Sequence, residues 1–292
     1  MKHSHELIQK IKNNKVKLNQ LSTYNEKPKM SAILLSFNHD YNVEDHCNKL
    51  IKSSFDEVII CEDGSIDQSM YKWVDRMNYK NHYILRSNDI HELRTYEKAI
   101  HMSEADFVCL LQDDDVLPDN NDWLDYAMFL FEKYPDLAVI GGARGKINFA
   151  RNGSEDFGLN KKAIPYKEPE AKKDMMFIES VNIGPYFIRK SVFLELGGWD
   201  RRCSNAGEPG ILFECEFCYR VWKAGYQVAL TRMPVKLDDD DRGTTIFNKG
   251  GIRQINCQKN INLMQRLYQK DHSFIKEKIG KLNNQHLLTK KG

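Results

Sequence analysis

Short, nearly continuous apolar runs recur through the first half of the chain: SAILLSF (31–37), EVIIC (57–61), HYILR (82–86) and DFVCLL (106–111). Runs of this length, rich in β-branched residues, suit strands buried on both faces. The stretches between them, 43–54, 67–77 and 93–104, mix polar and apolar positions over helical lengths. WLDYAMFLFEKY (123–134) does the same ahead of another short run, DLAVIGG. Strands that alternate with helices predict βαβ units and a mostly parallel sheet flanked by helices, an α/β fold of the Rossmann-like kind. Ligands of such sheets bind at the carboxyl ends of the strands, so the loops that follow the strands are where chemistry is expected.

From about 151 to 175 the alternation stops. RNGSEDFGLNKKAIPYKEPEAKKD is charged and carries Gly and Pro, which predicts a mobile loop or lid. Order is expected again over 175–200. GEPGILFECEFCYRVWKAGYQVAL (207–230) then reads as a turn, a helix and a strand. Phe213, Phe217, Val221 and Ala224 fall at helical spacing, a core face. GIRQINCQKNINLMQRLYQK (251–270) reads as an amphipathic helix carrying Arg253, Lys259, Arg266 and Lys270. It would pack on its own domain or lie on a membrane surface or a partner. The last twenty or so residues are expected to fray. The organisation that results is a polar extension over 1–29, one α/β domain over 30–245 and a helical extension over 246–292. Within the domain, about 30–142 makes one half and about 143–245 the other.

Composition narrows the class. The 292 residues carry 43 Lys+Arg against 41 Asp+Glu, a net charge of +2, which leaves no basic field for nucleic acid. No apolar run approaches the roughly 20 residues that cross a bilayer. MKHSHELIQKIKNNKVKLNQ is polar and lysine-rich without an apolar core, so a soluble, cytoplasmic protein is expected. Seven cysteines over this length point to reduced thiols. Cys215 and Cys218 have CxxC spacing, but Cys203 is the only other cysteine near them and no histidine lies between His101 and His272. A zinc site there would lack ligands, and both read as helix packing.

Candidate chemistry sits in the loops after the strands. The fourth strand runs into CLLQDDDVLP, where Asp113, Asp114 and Asp115 repel one another. A bound cation would offset that repulsion; an acidic turn that ends in water is the other reading. The second strand runs into CEDGSIDQS, with Glu62, Asp63, Gly64, Ser65 and Asp67, which is a site or a plain turn before a helix. Two acidic turns on one edge of one sheet favour a shared site.

Four segments in order, SAILLSFN, EVIICEDGSIDQS, FVCLLQDDD and LGGWD…ECEFCYRVWKAGYQV, resemble family 2 glycosyltransferases with the GT-A fold, over roughly residues 30–245. The resemblance implies an inverting enzyme that moves a sugar from a nucleotide-sugar, a UDP-sugar favoured, to a hydroxyl on a glycan, lipid-linked or protein acceptor. It makes the aspartate run a DxD motif that holds Mn²⁺ or Mg²⁺ against the diphosphate. Hard cations prefer such oxygen ligands and neutralise charge on a leaving diphosphate. Asp115 would ligate the metal, and Asp113 or Asp114 would contact the ribose and help place it. Asp63 would read the base, Ser36 and Phe37 would bracket the nucleoside, and Arg94 would meet the diphosphate.

The chain departs from that family in two places. The acidic pair that precedes the family's xxR helix is here Phe213 and Glu214, followed by Glu216 and Arg220. The family's later histidine ligand is missing, and Asp238, in the run Asp238–Asp241, would substitute for it or be solvated. Glu214 and Glu216 compete as the base that takes the acceptor's proton. Glu216 has Arg220 four residues on, the spacing of a helix-surface ion pair. Glu214 has no such partner, and the start of its helix favours the ionised form that a base needs. Glu214 is therefore the expected base. Two other classes stay open. A sugar-phosphate nucleotidyltransferase would want a phosphate-gripping Gly/Arg/Lys loop near the first strand, and SFNHDYN is not one. A non-catalytic module that binds a sugar-nucleotide or glycan would need no base.

Overall fold

A computed structural model describes residues 29–150, 153–237 and 251–289. The apolar runs form the strands they predict: β1 (Met30–Ser36), β2 (Glu57–Glu62), β3 (His82–Arg86) and β4 (Phe107–Gln112). The helices between them are α1 (Val43–Lys52), α2 (Ser69–Arg76) and α3 (His91–Met102). Each helix turns one stripe inward. In α1 the buried residues are Val43, His46, Cys47 and Leu50, spaced three and four apart. Its first turn holds Glu44 and Asp45 and its last turn Lys49 and Lys52, each complementing the helix dipole.

A two-residue strand, β5 (Asp115–Val116), leads to α4 (Asp122–Lys133) and β6 (Leu137–Gly141). Then come β7 (Arg144–Ala150), β8 (Gly153–Gly158), β9 (Tyr166–Lys167), β10 (Met175–Phe177), β11 (Ser180–Val181) and β12 (Tyr186–Arg189). The chain closes through α5 (Lys190–Glu195), α6 (Phe213–Lys223), β13 (Gln227–Thr231), β14 (Lys236–Leu237), α7 (Ile252–Tyr268), α8 (His272–His286) and β15 (Leu288–Thr289).

The main sheet has eight strands in the order β10-β13-β6-β12-β4-β1-β2-β3. Six of them point the same way. β12 runs antiparallel between β4 and β6, and β10 antiparallel at the edge. In register, Leu35 stands opposite both Cys61 and Gln112, so the carboxyl ends of β1, β2 and β4 finish on one line. The loops after them share one edge.

Two expectations are corrected here. The stretch expected as a mobile loop or lid is built, over its described part, into β8, β9 and the start of β10; β8 pairs with β7, and β11 completes that three-stranded sheet. Glu168 organises it from a fully buried position, accepting from Ala171 N at 2.6 Å and pairing with Lys133. The charges that suggested solvent are partly spent inward.

The C-terminal residues as far as 289 do not fray. Ile275 and Ile279 of α8 are buried in the same core as the sheet, and β15 pairs with β9. The Asn283 side chain accepts from Phe177 N at 2.7 Å and donates to Phe177 O at 3.0 Å. That satisfies both backbone groups of an edge-strand residue in β10. α7 is not an amphipathic surface helix either. Its buried positions include Asn256 and Asn260, while Ile252 and Ile255 are exposed. Asn260 donates to Cys203 O and Ile211 O at 2.7 and 2.6 Å, so this helix packs by amide hydrogen bonds on its own chain. No helix among the described residues is long and apolar enough to cross a membrane. All seven cysteines are free thiols, as expected, with Cys215 and Cys218 buried in α6.

Candidate active site

The three loops at the shared sheet edge are tied to one another by their own polar groups. Phe37 N donates to Asp113 Oδ2 at 2.7 Å, and the Asn42 amide donates to Asp113 O at 2.9 Å. Asn38 N donates to Ser65 Oγ, and Ile66 N returns a bond to Asn38 Oδ1. Asp63 N donates to Ser36 O. Sequence-distant turns thus become one surface because each supplies acceptors for the next turn's unpaired N–H groups.

The aspartate run divides by role. Asp113 faces the first loop, with His39 Nδ1 3.3 Å from its Oδ1. Asp115 turns inward. Its Oδ2 accepts from Gln112 N at 2.8 Å, and the side chain is 1% exposed. Its Oδ1 is buried without a hydrogen-bond partner among the described residues. Burial, then the neighbouring Asp114 and Asp113 charges, push this carboxyl well above the usual carboxylate range. Gly184 (φ +96°) packs so tightly that a Cβ there would fall 2.6 Å from Asp115 Oδ1. An orphaned buried carboxylate oxygen beside two further carboxylates is the donor set a hard cation fits. No group of three His, Cys, Asp or Glu side chains among the described residues is arranged as a complete metal site. The cation's other ligands would therefore be water and ligand oxygens, which suits a Mg²⁺- or Mn²⁺-type site that shares its ion with a phosphate. Asp238 lies outside the described residues.

Asp63 is 2% exposed at the end of β2. Its Oδ1 accepts from Ser87 Oγ at 2.7 Å and Ile90 N at 3.1 Å, and its Oδ2 from His91 N at 2.8 Å. The carboxylate thus sits on the N-terminus of α3, where free N–H groups and the helix dipole favour an anion. Oδ1 is saturated; Oδ2 accepts one bond and can take another. Ser36 is fully buried, and its hydroxyl accepts from Trp73 Nε1 at 2.9 Å, which makes it a support for the loop. Phe37, Asp63 and Asp113 do come together, around a cavity of about 40 Å³ whose walls also include Leu35, Gln112, His91 and Glu92. Arg94 is engaged elsewhere. Its guanidinium donates to Asn205 O at 2.8 Å and Ser204 O at 3.0 Å.

Glu214 and Glu216 separate as their neighbours dictate. Glu216 is fully buried and bound by Arg220, whose Nε lies 3.0 Å from both oxygens and whose Nη2 lies 2.8 Å from Oε2. Tyr268 of α7 also donates to it. Arg220 in turn donates to Leu196 O and Gly198 O, which fixes the GGWD turn. Glu214, 8% exposed, receives only long contacts, from Asn182 Nδ2 at 3.4 Å and Cys215 Sγ at 3.9 Å. Burial raises its pKa to about 7, Glu92 adds to the rise, and its own backbone N–H, Asn182 and Arg253 oppose it. The expectation that the helix start keeps Glu214 ionised is corrected: burial outweighs the helix end, as desolvation does for carboxyls held in apolar surroundings.

His91 and Glu92 did not stand out in the sequence. They begin α3, after the third strand, on the same edge as the loops that did. His91, on the cavity wall, adopts φ +63°, and Asp89 two residues before it φ +51°, both left-handed backbone. Their signal was the position alone: every loop that follows a parallel strand belongs to the edge.

No family model and no curated protein matches the chain. Solved structures match it by fold. A mannosyltransferase from Pyrobaculum calidifontis, in complex with GDP-Man and Mn²⁺, superposes with a TM-score of 0.51 at 12% identity, over 72% of this chain and 58% of that one. GalNAc-T7 with UDP, GalNAc and Mn²⁺ gives 0.56 at 12% identity, over 79% and 48%. The chain thus spans about half the length of these neighbours. The shared α/β fold, with its mostly parallel central sheet, is that of GT-A glycosyltransferases.

Proposed function

We propose that the chain is a metal-dependent glycosyltransferase. It would move a sugar from a nucleotide-sugar, a UDP-sugar in the first instance, to an acceptor hydroxyl with inversion at the anomeric carbon. The observation that carries this reading is Asp115 Oδ1, a buried carboxylate oxygen at the carboxyl edge of the sheet with no hydrogen-bond partner among the described residues. Asp115 would hold Mn²⁺ or Mg²⁺, with Asp113 and Asp114 beside it. When bound, such a cation neutralises charge on a departing diphosphate and orients it. That both fold neighbours are described with Mn²⁺ and a nucleotide or nucleotide-sugar is consistent with this.

The chain's own residues do the rest. The tied loops of β1, β2 and β4 present Phe37, Asp63 and Asp113 to the nucleoside, and Asp63 Oδ2 offers an acceptor to a base N–H. Glu214 takes the proton of the acceptor hydroxyl as its oxygen attacks the anomeric carbon and the bond to the nucleoside diphosphate breaks. A base with a pKa near the working pH combines availability with strength. Glu216 and Arg220 hold the turn and helix that carry it. Arg94 supports the 204–205 loop through its bonds to the Ser204 and Asn205 carbonyls.

The test is release of nucleoside diphosphate and free sugar from UDP-sugars with Mn²⁺ and no acceptor. A transferase shows slow, metal-dependent hydrolysis. A non-catalytic module binds and shows none. Pyrophosphate released from a nucleoside triphosphate would identify a nucleotidyltransferase.

A further inference from the structure

Glu92 stands where three parts of the molecule meet. It is in the first turn of α3, it lines the cavity with Phe37, Asp63, Gln112 and Asp113, and its Oε2 accepts from Gly210 N at 3.3 Å. Gly210 belongs to the turn that leads into α6 and Glu214. The Glu92 side chain thus bridges the nucleotide edge of the sheet to the helix that carries the base. His91 Nδ1 lies 3.8 Å from the same Oε2, and the His91 and Arg253 charges both favour the ionised form of Glu92. Burial raises its pKa, and Glu214 lies near enough for the two charges to be felt.

A half-buried carboxylate with one oxygen on a backbone N–H keeps acceptor capacity on the other. Folded proteins do not place such a group on a cavity wall without cost, and a ligand that brings hydroxyl donors offsets that cost through charge-assisted bonds. Two sides of the space around Glu92 are already assigned. The nucleoside edge is on the Asp63 and Phe37 side, and the attacking hydroxyl is on the Glu214 side. What lies between a nucleoside diphosphate and an attacking hydroxyl is the sugar that is transferred.

We propose that Glu92 binds hydroxyl groups of the donor sugar and so selects which sugar is transferred. This rests on the glycosyltransferase reading. The prediction is specific: Glu92 is felt by the intact nucleotide-sugar and not by the nucleotide alone. Glu92→Gln keeps an acceptor oxygen for Gly210 N–H, so the turn before α6 is preserved.

The experiment is calorimetric titration of wild type and Glu92→Gln, with Mn²⁺, using UDP against UDP-N-acetylglucosamine and UDP-glucose, and GDP against GDP-mannose. The expected result is nucleotide affinity within about twofold of wild type and a loss of about tenfold or more for the nucleotide-sugar, the scale of one charge-assisted bond. The unfolding temperature of the variant should match wild type. Equal losses for nucleotide and nucleotide-sugar, or no loss for either, overturn the proposal and leave the transferase reading standing. Wild-type protein that binds none of the nucleotide-sugars overturns both.

Discussion

At the scale of single residues, two carboxylates are set apart by what they lack. Asp115 lacks a partner among the described residues for one buried oxygen, and Glu214 lacks the close Arg220 contact that holds Glu216. Asp115→Ala is expected to abolish transfer and to remove the Mn²⁺ dependence of UDP binding, measured by titration with and without the metal. Retained metal-dependent affinity would sink the assignment. Glu214→Gln should lose turnover by about 10²-fold or more while UDP–Mn²⁺ affinity holds. The pH dependence follows from the raised pKa of about 7. The base must be deprotonated, so kcat/KM should rise with pH and level off above about 7. Stability has the opposite sign. Between the ordinary carboxyl pKa of 4.5 and about 7, the folded protein keeps a proton that the unfolded chain has released. Stability therefore falls as pH rises through that window. Glu214→Gln should match the parent near pH 4.5 and exceed it in Tm at pH 8. A structural glutamate would show the reverse.

At the scale of elements, α6 is held from both sides by one residue pair. Arg220 reaches back to the Leu196 and Gly198 carbonyls, and Glu216 reaches Tyr268 of α7. Removing one partner of a buried pair leaves the other charge uncompensated, at a cost of about 3 kcal/mol. Glu216→Gln should therefore lower Tm by many degrees while the folded fraction keeps its UDP affinity. The two neighbouring glutamates are separated by stability against turnover, and denaturant unfolding with steady-state assays on both variants makes the comparison. α3 shows the same logic at the other edge. Its N-terminus is capped by Asp63, a residue of the loop after β2. Asp63→Asn turns an amide toward those N–H groups. It should weaken UDP by about tenfold and lower Tm as well, since a charge-assisted bond is worth about 1.5–3 kcal/mol. UDP affinity equal to wild type would move the base elsewhere.

At the scale of the whole molecule, one core runs from β3 to α8 and includes Ile275, Ile279 and Leu287. Binding of a nucleotide and Mn²⁺ at one edge should raise the unfolding temperature of this body as a unit, by an amount that grows with ligand concentration as RT ln(1 + [L]/Kd). A thermal-shift series over UDP and GDP with Mn²⁺ measures it. No shift with either would rule out a nucleotide site on this edge.

The sequence by itself determined the first half of the molecule. A strand buried on both faces must be apolar throughout, and a helix packed on one side must alternate at 3.6, so β1 to β4 and α1 to α4 were legible from local pattern. The sheet edge that carries the candidate site was legible for the same reason, because parallel strands finish on one edge and polar loops follow them. What only the tertiary structure decided are the matters set by distant partners. β12 inserts antiparallel between β4 and β6 because its hydrogen bonds are satisfied there, and nothing in Tyr186–Arg189 alone says so. The charged stretch before β10 is ordered because Glu168 finds Lys133, and the last helices are ordered because Asn283 and Asn260 find backbone groups far away in the chain. Arg94 is diverted to the 204–205 carbonyls, and Glu92 reaches the cavity by folding. A polar side chain's role depends on which partner reaches it, and the partners of these residues lie 35 to 118 positions away.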